Sequence, residues 1–299
     1  MGVLALLWGS TPLWIRLALN GLPPVQVTVI RCVLGALVLA VLCVSRRQRL
    51  PRDRATWRRI FVAAFFCNAL PFTLLSIGQQ TVGSGLAGVL NATTPLWSLL
   101  IGLATGAERR LSPVRLSGLL LGFGGTVLIF DPWQQGRTVG WGALTILGAA
   151  ASYAVAFTYM QRNLIGKGIP TLSLSTAQLL AATGLTALTL PASGPLHLQV
   201  GPTTLIAVAI LGIFTTGVTF HLTYRIIADE GATNAATVGY LLPVVSLALG
   251  AIVLNEHLGL RIVAGMVVVL VAVALTRQRR TPSAPDAVTS MAPLAQPFE

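Results

Sequence analysis

The sequence predicts an all-α membrane protein with ten transmembrane helices arranged as two inverted five-helix repeats. Three observations carry that prediction. The 299 residues are 54% hydrophobic and only 9% charged, with a mean hydropathy of +0.79, whereas soluble domains carry about 25% charged residues. Apolar runs approaching the roughly 20 residues that cross a bilayer recur along the chain. The chain also matches itself at an offset of 148 residues, a distance that spans an odd number of runs.

Taken in order, the apolar spans fall near 2–20, 25–44, 59–78, 82–104 and 113–130, then 139–160, 171–190, 203–226, 233–254 and 260–276. Residues 1–130 form the first expected repeat and 139–276 the second. The first span lacks a basic leader and carries Arg16, so it reads as a helix rather than a signal peptide. Turn formers separate the spans at Gly21-Leu22-Pro23-Pro24, Asp131-Pro132-Trp133 and Ser193-Gly194-Pro195. Residues 277–299, rich in Pro, Ser and Ala, are expected to be a disordered cytoplasmic tail.

Orientation follows from the basic residues. Of the 20 Lys and Arg, 16 fall in the gaps 45–59, 105–115, 161–170 and 225–232 and in the tail. The alternate gaps hold only Arg137 and Arg261, and Arg16 and Arg31 lie within spans. The rich side is assigned to the cytoplasm, so both termini are expected on the cytoplasmic side of the plasma membrane. That requires an even number of spans.

The repeat rests on ten identities in 43 positions: Phe66/Phe214, Phe72/Phe220, Leu74/Leu222, Gly83/Gly231, Ala87/Ala235, Pro95/Pro243, Ser98/Ser246, Leu99/Leu247, Gly102/Gly250 and Glu108/Glu256. Apolar composition inflates matches of Leu and Ala, but it does not align Pro, Gly and Glu at the same spacings. Five spans separate the copies, so the second must enter the membrane from the opposite side. Inverted repeats of this kind build secondary transporters, with the ligand held near the midplane.

Polar groups within spans are costly, and each needs a reason. Arg31 stands about six residues into the second span, a depth of about 9 Å at 1.5 Å per residue. It either snorkels outward or offers a cationic handle for a carboxylate or phosphate. At an offset of 147 its counterpart is Gln178, polar but uncharged. Trp8, Ser10, Asn68, Asn91, Trp97, Tyr153, Tyr159 and Tyr240 are further candidates to line a polar pocket. Each has the alternative of bonding to a neighbouring helix. His221 is a candidate proton carrier or a satisfied core side chain. Pro95 and Pro243, repeated symmetrically inside spans, are hinge candidates. Glu108 and Glu256 close their spans near Arg109, Arg110 and His257, as gating or loop-anchoring ion pairs or as solvated helix ends. All eight acids lie in gaps, at helix ends or in the tail, which favours facilitated diffusion or exchange over proton coupling.

Other chemistries find little support. The basic residues form no stripe interleaved with aromatics, so no nucleic acid is expected as a partner. Cys32, Cys43 and Cys67 show neither metal-ligand spacing nor a disulfide framework. Gly122-Phe123-Gly124-Gly125 lies in an apolar span with no strand before it and reads as a helix-packing surface rather than a nucleotide fingerprint. No catalytic order, metal cluster or phosphate loop stands out, so neither an enzyme nor a cofactor is expected.

Trp8-Gly9-Ser10, Arg31, and Pro95 with Glu108 closing the fourth span resemble the drug/metabolite transporter superfamily, in particular its EamA-type ten-helix members. The segment Pro243 to Glu256, then Gly265, with Gln178 early in the seventh span, resembles the second EamA unit. The resemblance implies efflux or exchange of an amino acid or similar small polar metabolite, with sugars or phosphorylated metabolites as the alternative cargo. The four-helix relatives use a glutamate in their first helix, and the first span here has none. A membrane-embedded enzyme is the alternative of a different class. Expected partners are a small-molecule substrate and the lipid bilayer, with assembly into a homo-oligomer left open.

Overall fold

A computed structural model of the chain describes residues 2–82, 87, 90–106, 113–130, 140–193, 200–242, 245 and 259–276. Among them there is no strand. The helices are α1 (Gly2–Leu19), α2 (Pro24–Ser45), α3 (Arg54–Ala64), α4 (Leu70–Thr81), α5 (Thr94–Ala104) and α6 (Pro113–Phe130). They continue as α7 (Trp141–Asn163), α8 (Thr171–Ala187), α9 (Pro202–Gly212), α10 (Thr219–Glu230), α11 (Ala232–Thr237) and α12 (Leu260–Thr276). Wide π turns at Phe65–Ala69 and Ile213–Val218 join α3 to α4 and α9 to α10 into continuous rods.

Five helical stretches are long and apolar enough to cross a membrane: Gly2–Leu19, Pro24–Ser45, Arg54–Thr81, Trp141–Asn163 and Pro202–Glu230. Thr94–Ala104, Leu116–Leu128 and Leu260–Ala272 are shorter apolar helices. The ten expected spans are thus met in part. Helix α8 has 17 residues and is rich in Ser and Thr. The hydroxyls of Ser175, Thr176, Thr183 and Thr186 return to the backbone of their own helix, as when Thr176 Oγ1 donates to the Leu172 carbonyl at 2.7 Å, which lets so polar a helix lie buried. The expected span 82–104 is broken at Ala92–Thr93. Pro95 therefore lies in the first turn of α5, where its missing N–H costs no helix bond, rather than in mid-helix. Likewise a 3₁₀ turn at Val238–Tyr240 follows α11. Pro243, Glu108 and Glu256 lie outside the described residues.

Element boundaries recur at the repeat offset. Arg54 and Pro202 open their rods 148 residues apart, and Phe65 and Ile213 open the π turns 148 apart. Pro24 and Thr171 start α2 and α8 147 apart, as Pro113 and Leu260 start α6 and α12. Pro71, two residues after the first π turn, lacks the N–H that an α-helix would use; its counterpart is Thr219, so the second turn widens without a proline.

Contacts between loops sort the helix ends into two groups. At one end the Arg-rich segment after α2 meets the start of α8, where Ser173 Oγ donates to Gln48 Oε1 at 3.4 Å. At the same end Arg162 donates to the Thr105 carbonyl, and the Ala232 N–H donates to Gln161 Oε1 at 2.9 Å. Asp53 caps α3 there, accepting from the Thr56 N–H at 2.9 Å and its hydroxyl at 3.0 Å; these bonds hold its carboxyl below the usual carboxylate range. At the other end Gly21 abuts Thr204, and Gly142 abuts Thr81.

Small residues set how closely the helices approach. A Cβ on Gly35 of α2 would lie 3.1 Å from the Gly212 carbonyl and 3.2 Å from the Gly217 nitrogen. A Cβ on Gly212 would lie 2.6 Å from Leu34 Cβ and 3.3 Å from Arg31 Cα. Backbone meets backbone here, which brings Arg31 against the second π turn. The glycine run in α6 is likewise a packing surface: Gly122 lies under the Tyr240 ring and Gly125 against Val269 of α12. Gly212→Ala should therefore destabilise the protein by about 1–3 kcal/mol through overpacking, whereas Gly124→Ala, with open space around its Cβ, should be near neutral. Thermal unfolding of the two variants in detergent checks the contrast.

Candidate functional site

At the centre of the bundle, two polar pairs cross from one half to the other. Arg31 on α2 is 3% exposed. Its Nε donates to Thr216 Oγ1 in the second π turn at 3.0 Å. Its guanidinium carbon stands 3.7 Å above the centre of the Phe72 ring, a favourable cation–π geometry. Gln178 on α8 makes the reciprocal contact, its Nε2 donating to Asn68 Oδ1 in the first π turn at 2.7 Å. At the repeat offsets Gln178 corresponds to Arg31 and Thr216 to Asn68. Each half thus offers a polar residue from its second span to the π turn of the other. Phe72 and Phe220, repeat mates themselves, meet edge to face with centroids 6.1 Å apart between the pairs.

The π turns explain the reach. An extra residue in one turn bulges a helix locally and leaves backbone bonds rearranged, a feature concentrated at functional sites. Arg31 does not snorkel, because the close approach of Gly35 to Gly212 seals its side chain inside. A charge at the centre of a spanning helix costs about 2.5–3.5 kcal/mol. Thr216 and Phe72 offset part of that cost. Among the described residues every carboxylate is exposed, namely Asp53, Asp229 and Glu230.

Aromatic rings extend outward from this centre. Tyr153 lies within electrostatic reach of Arg31 and tilts against Phe157 at 6.1 Å. Phe157 stacks on Trp8 at 6.3 Å. Trp8, Asn68, Tyr153, Arg31 and Gln178 therefore belong to one neighbourhood. Tyr159 packs against the same core. His221 is half-buried, and its Nδ1 has no hydrogen-bond partner. The Asn91 side-chain oxygen is likewise buried without a partner.

Other candidates point elsewhere. Ser10 bonds back to the Leu7 carbonyl of its own helix at 2.9 Å. Tyr240 is buried and donates to the Leu119 carbonyl at 2.8 Å, tying the 3₁₀ turn to α6. Trp97 is 37% exposed. Sequence reasoning missed Thr216 and Tyr224, whose hydroxyl donates to Gln178 Oε1. The offset of 148 applied to Asn68 names Thr216, so that signal was present. Tyr224 had none, because its mate is Ser76.

The profile of the EamA-like transporter family matches residues 1–131 and 140–278. The chain belongs to that family. It is 27% identical over 281 residues to a protein of Archaeoglobus fulgidus described as an uncharacterized transporter, covering 91% of this chain and 95% of that one. It is 32% identical over 278 residues to an uncharacterized protein of Pseudomonas aeruginosa, covering 91% and 92%. It is also 24% identical over 247 residues to the uncharacterized inner membrane transporter YedA of Escherichia coli, covering 83% and 79%. A crystal structure at 20% identity superposes with a TM-score of 0.77 over 92% of this chain and 94% of that one, and shows the shared fold. This EamA-like chain is a multi-pass membrane protein of a transporter family.

The crossed pairs predict a coupling. Gln178→Ala leaves the Asn68 carbonyl and the Tyr224 hydroxyl buried without partners, at about 1–3 kcal/mol. In a double-mutant cycle Asn68→Ala and Gln178→Ala should be strongly non-additive, measured as thermal midpoints in detergent.

Proposed function

We propose that the protein is a secondary carrier that exports or exchanges an amino acid or similarly small polar metabolite by alternating access. The observation that carries this reading is Arg31, a buried cation at the contact between the two halves with no buried carboxylate beside it among the described residues. A cation retained at that cost favours a ligand that completes its pairing. Trp8, Tyr153 and Asn68 would cover the rest of the ligand.

The mechanism calls for two inverted five-helix repeats, one covering 1–130 and the other 139–276. Support comes from the ends: α2 finishes where α8 begins, joined through Gln48 and Ser173, so equivalent helices run oppositely. The segment holding Arg46, Arg47, Arg49 and Arg52 lies at that shared end, which by the excess of cytoplasmic positive charge would face the cytoplasm, with both chain termini on the cytoplasmic side of the plasma membrane. Rocking of one half on the other would use the interruptions at Ala92–Thr93 and Val238–Tyr240, each just before a repeated proline. Glu108 and Glu256 would act at the gates. The expected partners are the substrate and the bilayer.

Flux of a labelled amino-acid panel in proteoliposomes tests the proposal. At least one member should show saturable counterflow, and Arg31→Ala should lower its rate at least tenfold. An unchanged rate and affinity in that variant removes Arg31 from the substrate site. Cysteine-labelling of the loops around Arg46 and Lys167 should place both on the cytoplasmic face; opposite faces would break the inverted architecture.

A further inference from the structure

The two halves put equivalent residues in equivalent places, and where their chemistry differs the bonding differs too. In the second half Gln178 is occupied on both sides, donating to Asn68 and accepting from Tyr224. In the first half the equivalent positions retain unused donors. Arg31, the mate of Gln178, makes its one hydrogen bond among the described residues through Nε, leaving the N–H groups of its two terminal nitrogens. Ser76, the mate of Tyr224, is fully buried with no partner for its hydroxyl. The buried hydroxyls of Thr219 and Thr223 fold back onto their own helix at 2.7 and 2.8 Å, whereas Ser76 shares its unpartnered state with Ser98 on α5. Asn68 is fully buried too, and its Nδ2 has no partner.

These groups share one surface. Phe72 lies beneath Arg31, and Ser76 follows it by four residues on α4, hence on the same helix face. Asn68 precedes Phe72 by four residues at the end of the π turn. The set offers donors around one positive charge and, among the described residues, no buried acid. A ligand that satisfies it brings acceptors and one negative charge. A doubly charged phosphate would leave a surplus charge in a low-dielectric interior, which is strongly disfavoured. A ligand ammonium would find the guanidinium nearby and no acid to pair with. Around this polar end lie the rings of Phe72, Phe220, Tyr153, Phe157 and Trp8.

We propose that Arg31, Ser76 and Asn68 form the carboxylate end of the transport site. It takes monocarboxylates with an aromatic or apolar body, and a ligand amino group is dispensable. The Gln178–Tyr224 side stays closed as a permanent clasp. This rests on the carrier reading above and shifts its substrate class from amino acids to organic monocarboxylates.

The test uses the full chain in lipid nanodiscs, titrated calorimetrically with three probes that share one phenyl body: 3-phenylpropanoate, phenylalanine and 2-phenylethylamine. The first should bind at least as tightly as the second, and the amine at least tenfold more weakly. Arg31→Gln, which copies the second half, should weaken 3-phenylpropanoate at least tenfold. Ser76→Ala should weaken it severalfold without lowering the thermal midpoint, so the proposal remains testable if the Arg31 variant does not fold. Tyr224→Phe should lower the midpoint and leave acid binding unchanged. Equal binding of the amine, binding of none of the three, or indifference of 3-phenylpropanoate to Ser76→Ala overturns the carboxylate site. In proteoliposomes, saturable phenylalanine counterflow that the amine inhibits as well as the acid overturns this site while the carrier reading stands. Acid binding without any saturable flux supports the site and removes the carrier reading.

Discussion

A guanidinium sealed in an apolar interior constrains this structure more than any other single group. Arg31 is 3% exposed, and a charge so buried must be met by polar or aromatic partners. The chain meets part of it by bringing α2 against the opposite half so closely that Gly35 and Gly212 touch backbone to backbone. That approach delivers Arg31 to Thr216 and to the face of Phe72. The π turn matters because it places a polar residue at a bulge, where it faces another helix. The edge-to-face phenylalanines then occupy the centre of the contact.

The two crossed pairs do not act alike because their side chains differ at equivalent positions. A glutamine is neutral and both donates and accepts, so Asn68 and Tyr224 can satisfy it and leave nothing over. An arginine donates only. Its partners must be acceptors, and the described interior supplies Thr216 and an aromatic face. One half therefore contributes a closed joint and the other an open one. The proposed carrier would use both: a joint that keeps the halves in register, and a polar site whose occupancy is worth binding energy. A symmetric pair of closed joints would be a stable membrane bundle with nothing to bind.

Much of this was legible in the residues. The recurrence of Pro, Gly and Glu at one spacing suggested a repeat, and element boundaries such as Arg54 and Pro202 recur at the same offset. Arg31 stood out because charge within a span is costly, and Gln178 stood out as its mate. Other features were not legible. Pro95 reads as a mid-span kink, yet the chain breaks before it and uses it in the first turn of α5. Periodicity cannot register a π turn, since one extra residue leaves an apolar run apolar. Tyr240 resembled a pocket residue until its hydroxyl was found on the Leu119 carbonyl, a partner 121 residues away along the chain.

Composition, periodicity and spacing by themselves determined the membrane class and singled out Arg31 as a charge within a span, because each is a property of local free energy. Which hydroxyls and amides find partners was decided only by the tertiary structure. Hydrogen bonds between helices depend on approaches of a few tenths of an ångström, set here by glycines on different spans. The contrast between a satisfied Gln178 and an unsatisfied Ser76 is of that kind, and no one-dimensional pattern contains it.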